Sequence, residues 1–203
     1  MKKILLPLLT TYLLATPTNM EIALGKLNAG DYDKAIQLLK QEKENAQVDL
    51  LLGKAYFKRH LTYTDYQFAL KYFQKAGNLQ AKYYLGLLYE KGLGVKQDIT
   101  KAIRYLEESK TPEANYALAN LYLNGKYVLK NPHKAISLLQ DSAKAGYSKA
   151  QLLLGKLYLK GVSIIDKDWN EAAKWIYLSA KNGSLEAKKL WDENKLYRFL
   201  RDE

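Results

Sequence analysis

The sequence predicts an all-α fold, a solenoid of stacked antiparallel helix hairpins. Landmark residues recur at intervals of 33 to 37 positions over most of the chain, and the apolar residues between them keep the spacing of one helical face. Acidic or amide residues stand where the second helix of each hairpin would begin. Because one hairpin cannot bury its own apolar face, successive hairpins are expected to pack side by side.

The first 15 residues have the pattern of a secretory signal. A short basic start precedes an apolar stretch at residues 4–15, which is too short to span a bilayer as a helix. Cleavage is expected after Ala15. We therefore predict a signal peptide at residues 1–15, a periplasmic or secreted protein, and no transmembrane segment. The alternative is an uncleaved amphipathic first helix on a cytoplasmic protein.

The first helix of each hairpin is predicted from tyrosines that recur at steps of 33, 33 and 36 residues, each with a small residue three positions before it. These pairs are Gly53 and Tyr56, Gly86 and Tyr89, Ala119 and Tyr122, and Gly155 and Tyr158. A small side chain suits a position where two helices approach closely, because a larger one would push them apart. The recurring tyrosines are expected to be core residues.

The second helix of each hairpin is predicted from an alanine that follows a capping residue by four positions. The capping residues are Asp31, Asp65, Asp98, Asn131 and Asp168. Their side-chain oxygens can accept hydrogen bonds from the free N–H groups of a first helical turn. Gly77, Gly146 and Gly183 follow the apolar pattern and are expected to end three of these helices.

The most complete unit contains Ala81, Leu85, Gly86, Tyr89, Gly92, Gly94, Val95, Asp98, Lys101, Ala102 and Tyr105. This pattern resembles the Sel-like repeat family, a relative of the tetratricopeptide repeats. The resemblance implies a right-handed superhelix of about eleven helices, in five pairs with a terminal cap. It divides the chain into a degenerate tetratricopeptide-like unit at 16–45, four Sel-like repeats at 46–183, and a C-terminal capping helix and tail at 184–203.

The composition argues against most catalytic chemistry. The chain has no cysteine and only two histidines, His60 and His133, so it cannot build a thiolate nucleophile or a histidine-based metal cage. It has no nucleophile elbow and no glycine-rich phosphate loop. Some relatives of the repeat family are described as penicillin-recognising, but this chain lacks the Ser-x-x-Lys motif. We expect a non-enzymatic protein with no cofactor and no metal.

The net charge of +11, with 32 Lys and Arg against 21 Asp and Glu, favours an acidic partner. Nucleic acid, an anionic membrane surface and an acidic protein all meet this condition. The basic residues are spread along the chain without a run of five or more, whereas nucleic-acid binding usually concentrates them in a stripe. No specific nucleic-acid partner is therefore predicted.

The candidate binding residues follow from the register of the first helices, which line the concave side of stacked helix pairs. Positions three before and one and five after each small residue are expected to point there. The polar and aromatic residues so selected are Lys54, Lys58, Tyr83, Lys91, Tyr116, Asn120, Asn124, Lys156 and Lys160. The row of Lys and Asn resembles the one that holds peptide carboxylates in tetratricopeptide domains.

These observations predict a protein–protein interaction scaffold of the bacterial envelope that binds a partner protein or acidic peptide on a basic, aromatic-containing concave face. One alternative is an envelope glycan or peptidoglycan binder, in which exposed Tyr83, Tyr116 and Tyr147 would stack on sugar rings. Two further hypotheses are a penicillin-recognising enzyme and a cytoplasmic regulator.

Overall fold

The computed structural model describes residues 17–162 and 164–200, so the predicted signal peptide lies outside the described residues. The described residues form eleven α-helices and no strand longer than an isolated bridge between Val162 and Ile165. The helices are α1 Asn19–Ala29, α2 Tyr32–Leu39, α3 Ala46–Arg59, α4 Tyr63–Ala76, α5 Leu79–Lys91, α6 Ile99–Ser109, α7 Pro112–Asn124, α8 Pro132–Lys144, α9 Ser148–Lys160, α10 Trp169–Lys181 and α11 Leu185–Glu193. The predicted all-α fold and the number of helices are confirmed.

The helices pack as five hairpins, and each hairpin packs against the next one along the chain. Within a hairpin the first and second helices share the largest contact, as α3 does with α4 and α5 with α6. The second helix then packs on the first helix of the following hairpin. Helix α11 covers the last hairpin, where Trp191 and Phe199 pack against a hydrophobic cluster that includes Ile176 and Leu196. The structure is a helical solenoid in which every hairpin is stabilised mainly by its neighbours.

Four of the five predicted capping residues begin a helix. Asp31, Asp98, Asn131 and Asp168 each accept a hydrogen bond from a backbone N–H of the following first turn. Asp65 differs, because α4 begins three residues earlier than predicted.

At the start of α4, Thr62 is the capping residue and Asp65 lies inside the first turn. The Thr62 hydroxyl accepts from the N–H of Asp65 at 3.1 Å, and the Asp65 carboxylate accepts from the N–H of Thr62 at 3.2 Å. This reciprocal arrangement is a capping box. The shift has a physical reason: Asp65 also binds Arg59, the last residue of α3, and so joins the two helices of its hairpin.

The small residues of the first helices lie where the second helix comes closest. A β-carbon on Gly53 would lie 2.6 Å from the ring of Phe73. Equivalent β-carbons on Gly86 and Gly155 would lie 2.6 Å from Leu106 and Ile176. Such separations are far inside van der Waals contact, so glycine sets the spacing of these helices.

The sequence reasoning missed a column of buried serines at the ends of the second helices. The hydroxyls of Ser109, Ser142 and Ser179 donate to backbone carbonyls at the start of the first helix of the same hairpin, at 2.7, 2.6 and 2.8 Å. All three side chains are fully buried. Each hydrogen bond closes the open end of one hairpin, and the serine spacing of 33 and 37 residues was available in the sequence.

Replacing Ser142 by alanine is expected to lower the free energy of unfolding by about 1 kcal/mol. The substitution removes the donor to the carbonyl of Pro112 without leaving a large cavity. Urea denaturation followed by circular dichroism measures the change. Ser137→Ala, on the exposed side of the same helix, is the matched control. Equal stability of the two variants would show that the buried hydrogen bond contributes nothing.

Candidate partner-binding surface

The first helices contact one another in the middle of the stack, where α5 packs against both α3 and α7. We expect the stack to curve toward these helices, because the inner side of a curved solenoid is its shorter side. The candidate residues predicted on the first helices are therefore considered as parts of one surface, named here the inner face.

Two of the predicted lysines already contact other residues. The ammonium of Lys54 donates to the side-chain oxygen of Gln80 at 2.9 Å and lies 5.9 Å from the ring centre of Tyr84. Lys156 forms an ion pair with Glu186 of α11. Each lysine thus joins one first helix to the start of the next. Burial lowers the pKa of Lys54, and the like charge of Lys58 lowers it further.

The remaining cationic candidates are exposed. Lys58, Lys91 and Lys160 lie in the last turn of α3, α5 and α9, and Asn124 takes the same position in α7. In the described part of the chain, none of these three lysines forms an ion pair. They are the residues of the predicted set whose charge is open to a ligand.

The predicted tyrosines form a half-buried aromatic group in the middle of the inner face. Tyr83 packs on Tyr84 with ring centres 5.1 Å apart, and Tyr116 meets Tyr147 edge to face at 5.4 Å. The pKa of Tyr83, Tyr84 and Tyr147 is raised, mainly because these side chains are buried. Their phenols therefore stay neutral in ordinary buffers.

The position of these rings bears on the glycan alternative. Tyr83, Tyr116 and Tyr147 are half-buried rather than exposed, and two of them use ring faces or edges on each other. Asn120, the last candidate of this region, donates its amide to the backbone oxygen of Tyr116 at 2.8 Å. Less ring surface is open to a sugar than the glycan alternative expects.

The sequence reasoning also missed two carboxylates on this surface. Glu113, in the first turn of α7, is half-buried, and its charge contributes to raising the pKa of Tyr84 and Tyr147. Glu90 is half-buried near the end of α5, and burial raises its pKa. It lines a shallow pocket of about 170 Å³ with Leu121, Asn124, Lys126 and Tyr127. Glu90 lies four residues after Gly86, a position that the register rule did not include.

No three acidic or histidine side chains among residues 17–162 and 164–200 come together as a metal site. A helix long and apolar enough to cross a bilayer is also absent from these residues.

Comparison with known families agrees with the hairpin pattern. The family model for the Sel1 repeat matches residues 50–80, 79–110, 112–147 and 148–184, which together make up more than half of the chain. The chain belongs to the Sel1 repeat family. This confirms the resemblance inferred from the sequence. No curated protein matches the chain in a sequence search.

Two solved structures show the same Sel1 repeat architecture. A Sel1 repeat protein from Oxalobacter formigenes is 27% identical, with a TM-score of 0.71 over 91% of this chain and 78% of that chain. A Sel1 repeat protein from Klebsiella pneumoniae subsp. pneumoniae is 17% identical, with a TM-score of 0.58 over 86% of this chain and 90% of that chain. The second likeness shows the fold alone.

Sel1 repeats are typically non-catalytic scaffolds, and repeat solenoids of this kind are typical of proteins that bind other proteins. Membership therefore supports a general role in protein–protein interaction. The family does not identify the partner, because the same scaffold presents different side chains in different proteins.

Proposed function

We propose that this Sel1 repeat protein binds a segment of a partner protein along its inner face, and that acidic side chains of the segment contact Lys58, Lys91 and Lys160. The observation that carries this proposal is the common position of these lysines. Each lies in the last turn of a first helix, exposed and without a carboxylate partner in the described residues. A row of that kind can bind several carboxylates of one extended segment.

The aromatic group toward the N-terminal ends of the first helices also supports a protein ligand. Tyr83, Tyr116 and Tyr147 present neutral, half-buried rings that already pack on neighbouring rings. Such rings lose little side-chain entropy on binding and can contact apolar side chains of a partner. The expected ligand is an extended or helical segment in which acidic and apolar side chains alternate.

Lys54 and Lys156 are assigned a smaller role in binding. Both join successive repeats, through Gln80 and Glu186. An acidic ligand would have to compete with these contacts, and substitution of either lysine would also disturb the stacking of the repeats. Lys58, Lys91 and Lys160 are therefore the better residues for a test of binding.

The proposal includes a location in the bacterial envelope. Its support is the basic start and the apolar stretch at residues 4–15, which have the pattern of a secretory signal. N-terminal sequencing of the protein purified from its source cells tests this part. A mature chain that begins at Thr16 is expected, and an uncleaved chain would contradict the proposed location.

The triple substitution K58E/K91E/K160E is expected to reduce partner capture at least about tenfold, because it replaces three attractive charges by repulsive ones. A photo-crosslinking amino acid is placed at Tyr83 on the inner face, and adducts formed in source cells are identified by mass spectrometry. The same amino acid at Tyr177, exposed on α10, controls for non-specific adducts. The expected adduct forms at Tyr83 and is lost in the triple variant.

The matched control is K34E/K71E/K144E, which makes the same change in charge on the second helices. These lysines are exposed and form no ion pair in the described part of the chain. The K34E/K71E/K144E variant should still form the adduct at Tyr83. Equal loss in both triple variants would mean that net charge, and not the row on the inner face, governs capture.

A further inference from the structure

The loops that join the first to the second helix of each repeat lie along one edge of the solenoid. This edge, named here the loop edge, consists of residues 58–63, 91–98, 124–131, 160–162 and 164–168. Adjacent loops are in contact: the Gln97 amide lies 3.4 Å from the Tyr127 hydroxyl. Gly94 lies against Tyr66 in the first turn of α4, so closely that a β-carbon would be 2.6 Å from its carbonyl carbon. The loop at residues 91–98 therefore contacts the repeats on both of its sides.

The loop edge is strongly cationic. Its lysines are all exposed, and none of them forms an ion pair within residues 17–162 and 164–200. They are Lys58, Lys91, Lys96, Lys126, Lys130, Lys160 and Lys167. Unpaired lysines on one edge add up to a field that attracts an extended anionic surface.

The carboxylates of the loop edge do little to neutralise this charge. Asp98 and Asp168 cap helices, and Asp65 is buried against Arg59. Glu90 is half-buried, which leaves Asp166 as the exposed carboxylate among the described residues of these loops. The loop edge therefore has its own excess of exposed lysines over exposed carboxylates. Its positive charge is not just a share of the net charge spread over the whole chain.

Exposed apolar side chains lie between the lysines. Leu129 is 91% exposed and Leu61 is 75% exposed, and Val162 and Tyr127 are also exposed. These residues belong to three different loops, so the apolar side chains are distributed along the edge rather than gathered in one patch. Exposure of so much leucine surface to water is unfavourable, and burial of these side chains in an apolar phase would be stabilising.

We propose that the loop edge docks on the surface of an anionic lipid bilayer. Lysines would contact anionic headgroups, while Leu61 and Leu129 would enter the boundary between headgroups and acyl chains. Nucleic acid is a poorer match. Its phosphates would meet the lysines but leave the leucines in water, and the arginine of this edge, Arg59, is already bound by Asp33 and Asp65.

The loop edge extends beyond the surface of the proposed function, and the two surfaces share Lys58, Lys91 and Lys160. The test therefore uses the loop lysines that do not belong to the inner face. In K96Q/K126Q/K130Q/K167Q, every substituted side chain is exposed and is replaced by a polar one of similar length. The second variant is L61S/L129S, which removes the two most exposed leucines of these loops.

The experiment is co-flotation of the expected mature chain, residues 16–203, with vesicles of phosphatidylcholine alone or with one third phosphatidylglycerol. Wild-type protein is expected to float with the anionic vesicles, to lose binding as salt is raised, and to ignore neutral vesicles. The quadruple lysine variant is expected to bind at least about tenfold more weakly. The L61S/L129S variant should bind the anionic vesicles about tenfold more weakly than the wild type.

The control K34Q/K71Q/K144Q/K181Q removes the same charge from exposed lysines of the second helices. It should retain most of the binding to anionic vesicles. Equal weakening of the control and the loop variant would overturn the assignment to this edge. Unchanged flotation of L61S/L129S, together with equal binding to double-stranded DNA, would show a general polyanion surface and would overturn the assignment to lipid.

Discussion

Truncation of Phe73 to alanine is expected to lower the free energy of unfolding by about 3–5 kcal/mol. The side chain is fully buried, faces Gly53 of α3, and stacks on Tyr84 of α5 with ring centres 4.7 Å apart. It therefore fills the junction between two hairpins, and its loss leaves a cavity that neither hairpin can close by itself. Urea denaturation followed by circular dichroism gives the change in free energy.

Phe68→Ala is the control for this prediction, because Phe68 lies on the same helix but is partly exposed. Loss of the Phe68 side chain should lower the free energy of unfolding by a clearly smaller amount. A second test uses the contact itself: Gly53→Ala should destabilise the wild type, in which the new methyl group meets the Phe73 ring. In a Phe73→Leu background, Gly53→Ala should lower the free energy of unfolding by less. Additive effects in this double-mutant cycle would contradict the direct contact.

Replacement of Asp65 by asparagine is expected to lower the free energy of unfolding by about 2–4 kcal/mol. The side chain of Asp65 is 2% exposed, and both oxygens are used. One accepts two hydrogen bonds from Arg59, and the other accepts from the backbone of Leu61 and Thr62. Asparagine cannot accept at both positions, so at least one of these donors loses its partner.

Asp98→Asn is the matched control, because Asp98 caps the equivalent helix one repeat later and is less buried. Asparagine caps helices about as well as aspartate, so a change of less than about 0.5 kcal/mol is expected. A loss at Asp98 equal to that at Asp65 would mean that capping alone, and not the contact with Arg59, stabilises the start of α4.

The same carboxylate predicts a dependence of stability on pH. The pKa of Asp65 is lowered, mainly by its hydrogen bonds from Arg59. A lowered pKa in the folded state means that the unfolded chain binds more protons, so this contribution is fully present above the unfolded pKa of about 3.9. It is lost as the pH falls through the folded pKa. Between pH 5 and pH 2, D65N should therefore lose less stability than the wild type.

Much of the fold could be predicted because its determinants are local. Capping side chains act within one helical turn, and Asp98, Asn131 and Asp168 begin helices as expected. Gly53, Gly86 and Gly155 mark close approaches, since no larger residue fits there. Asp65 shows the limit of this reasoning. Its spacing in the repeat matched the other caps, but its partner Arg59 belongs to the preceding helix.

The candidate site stays a prediction, and the sequence could not give the contacts of its residues. The register of the first helices selected the residues of the proposed inner face, but it did not distinguish bound lysines from free ones. Lys54 contacts Gln80 and Lys156 pairs with Glu186, whereas Lys91 is exposed without such a partner in the described residues. These contacts run between repeats, so they depend on how adjacent hairpins are stacked.

The sequence by itself determined the helical hairpins and their repetition in this Sel1 repeat protein. Both follow from short-range physics, namely the spacing of apolar residues, the caps of helices and the small residues at close approaches. Only the tertiary structure decided which polar groups remain open to a ligand. That choice depends on distances between side chains about 30 residues apart, such as Lys156 and Glu186, and stacking sets those distances to within the few ångströms over which an ion pair forms.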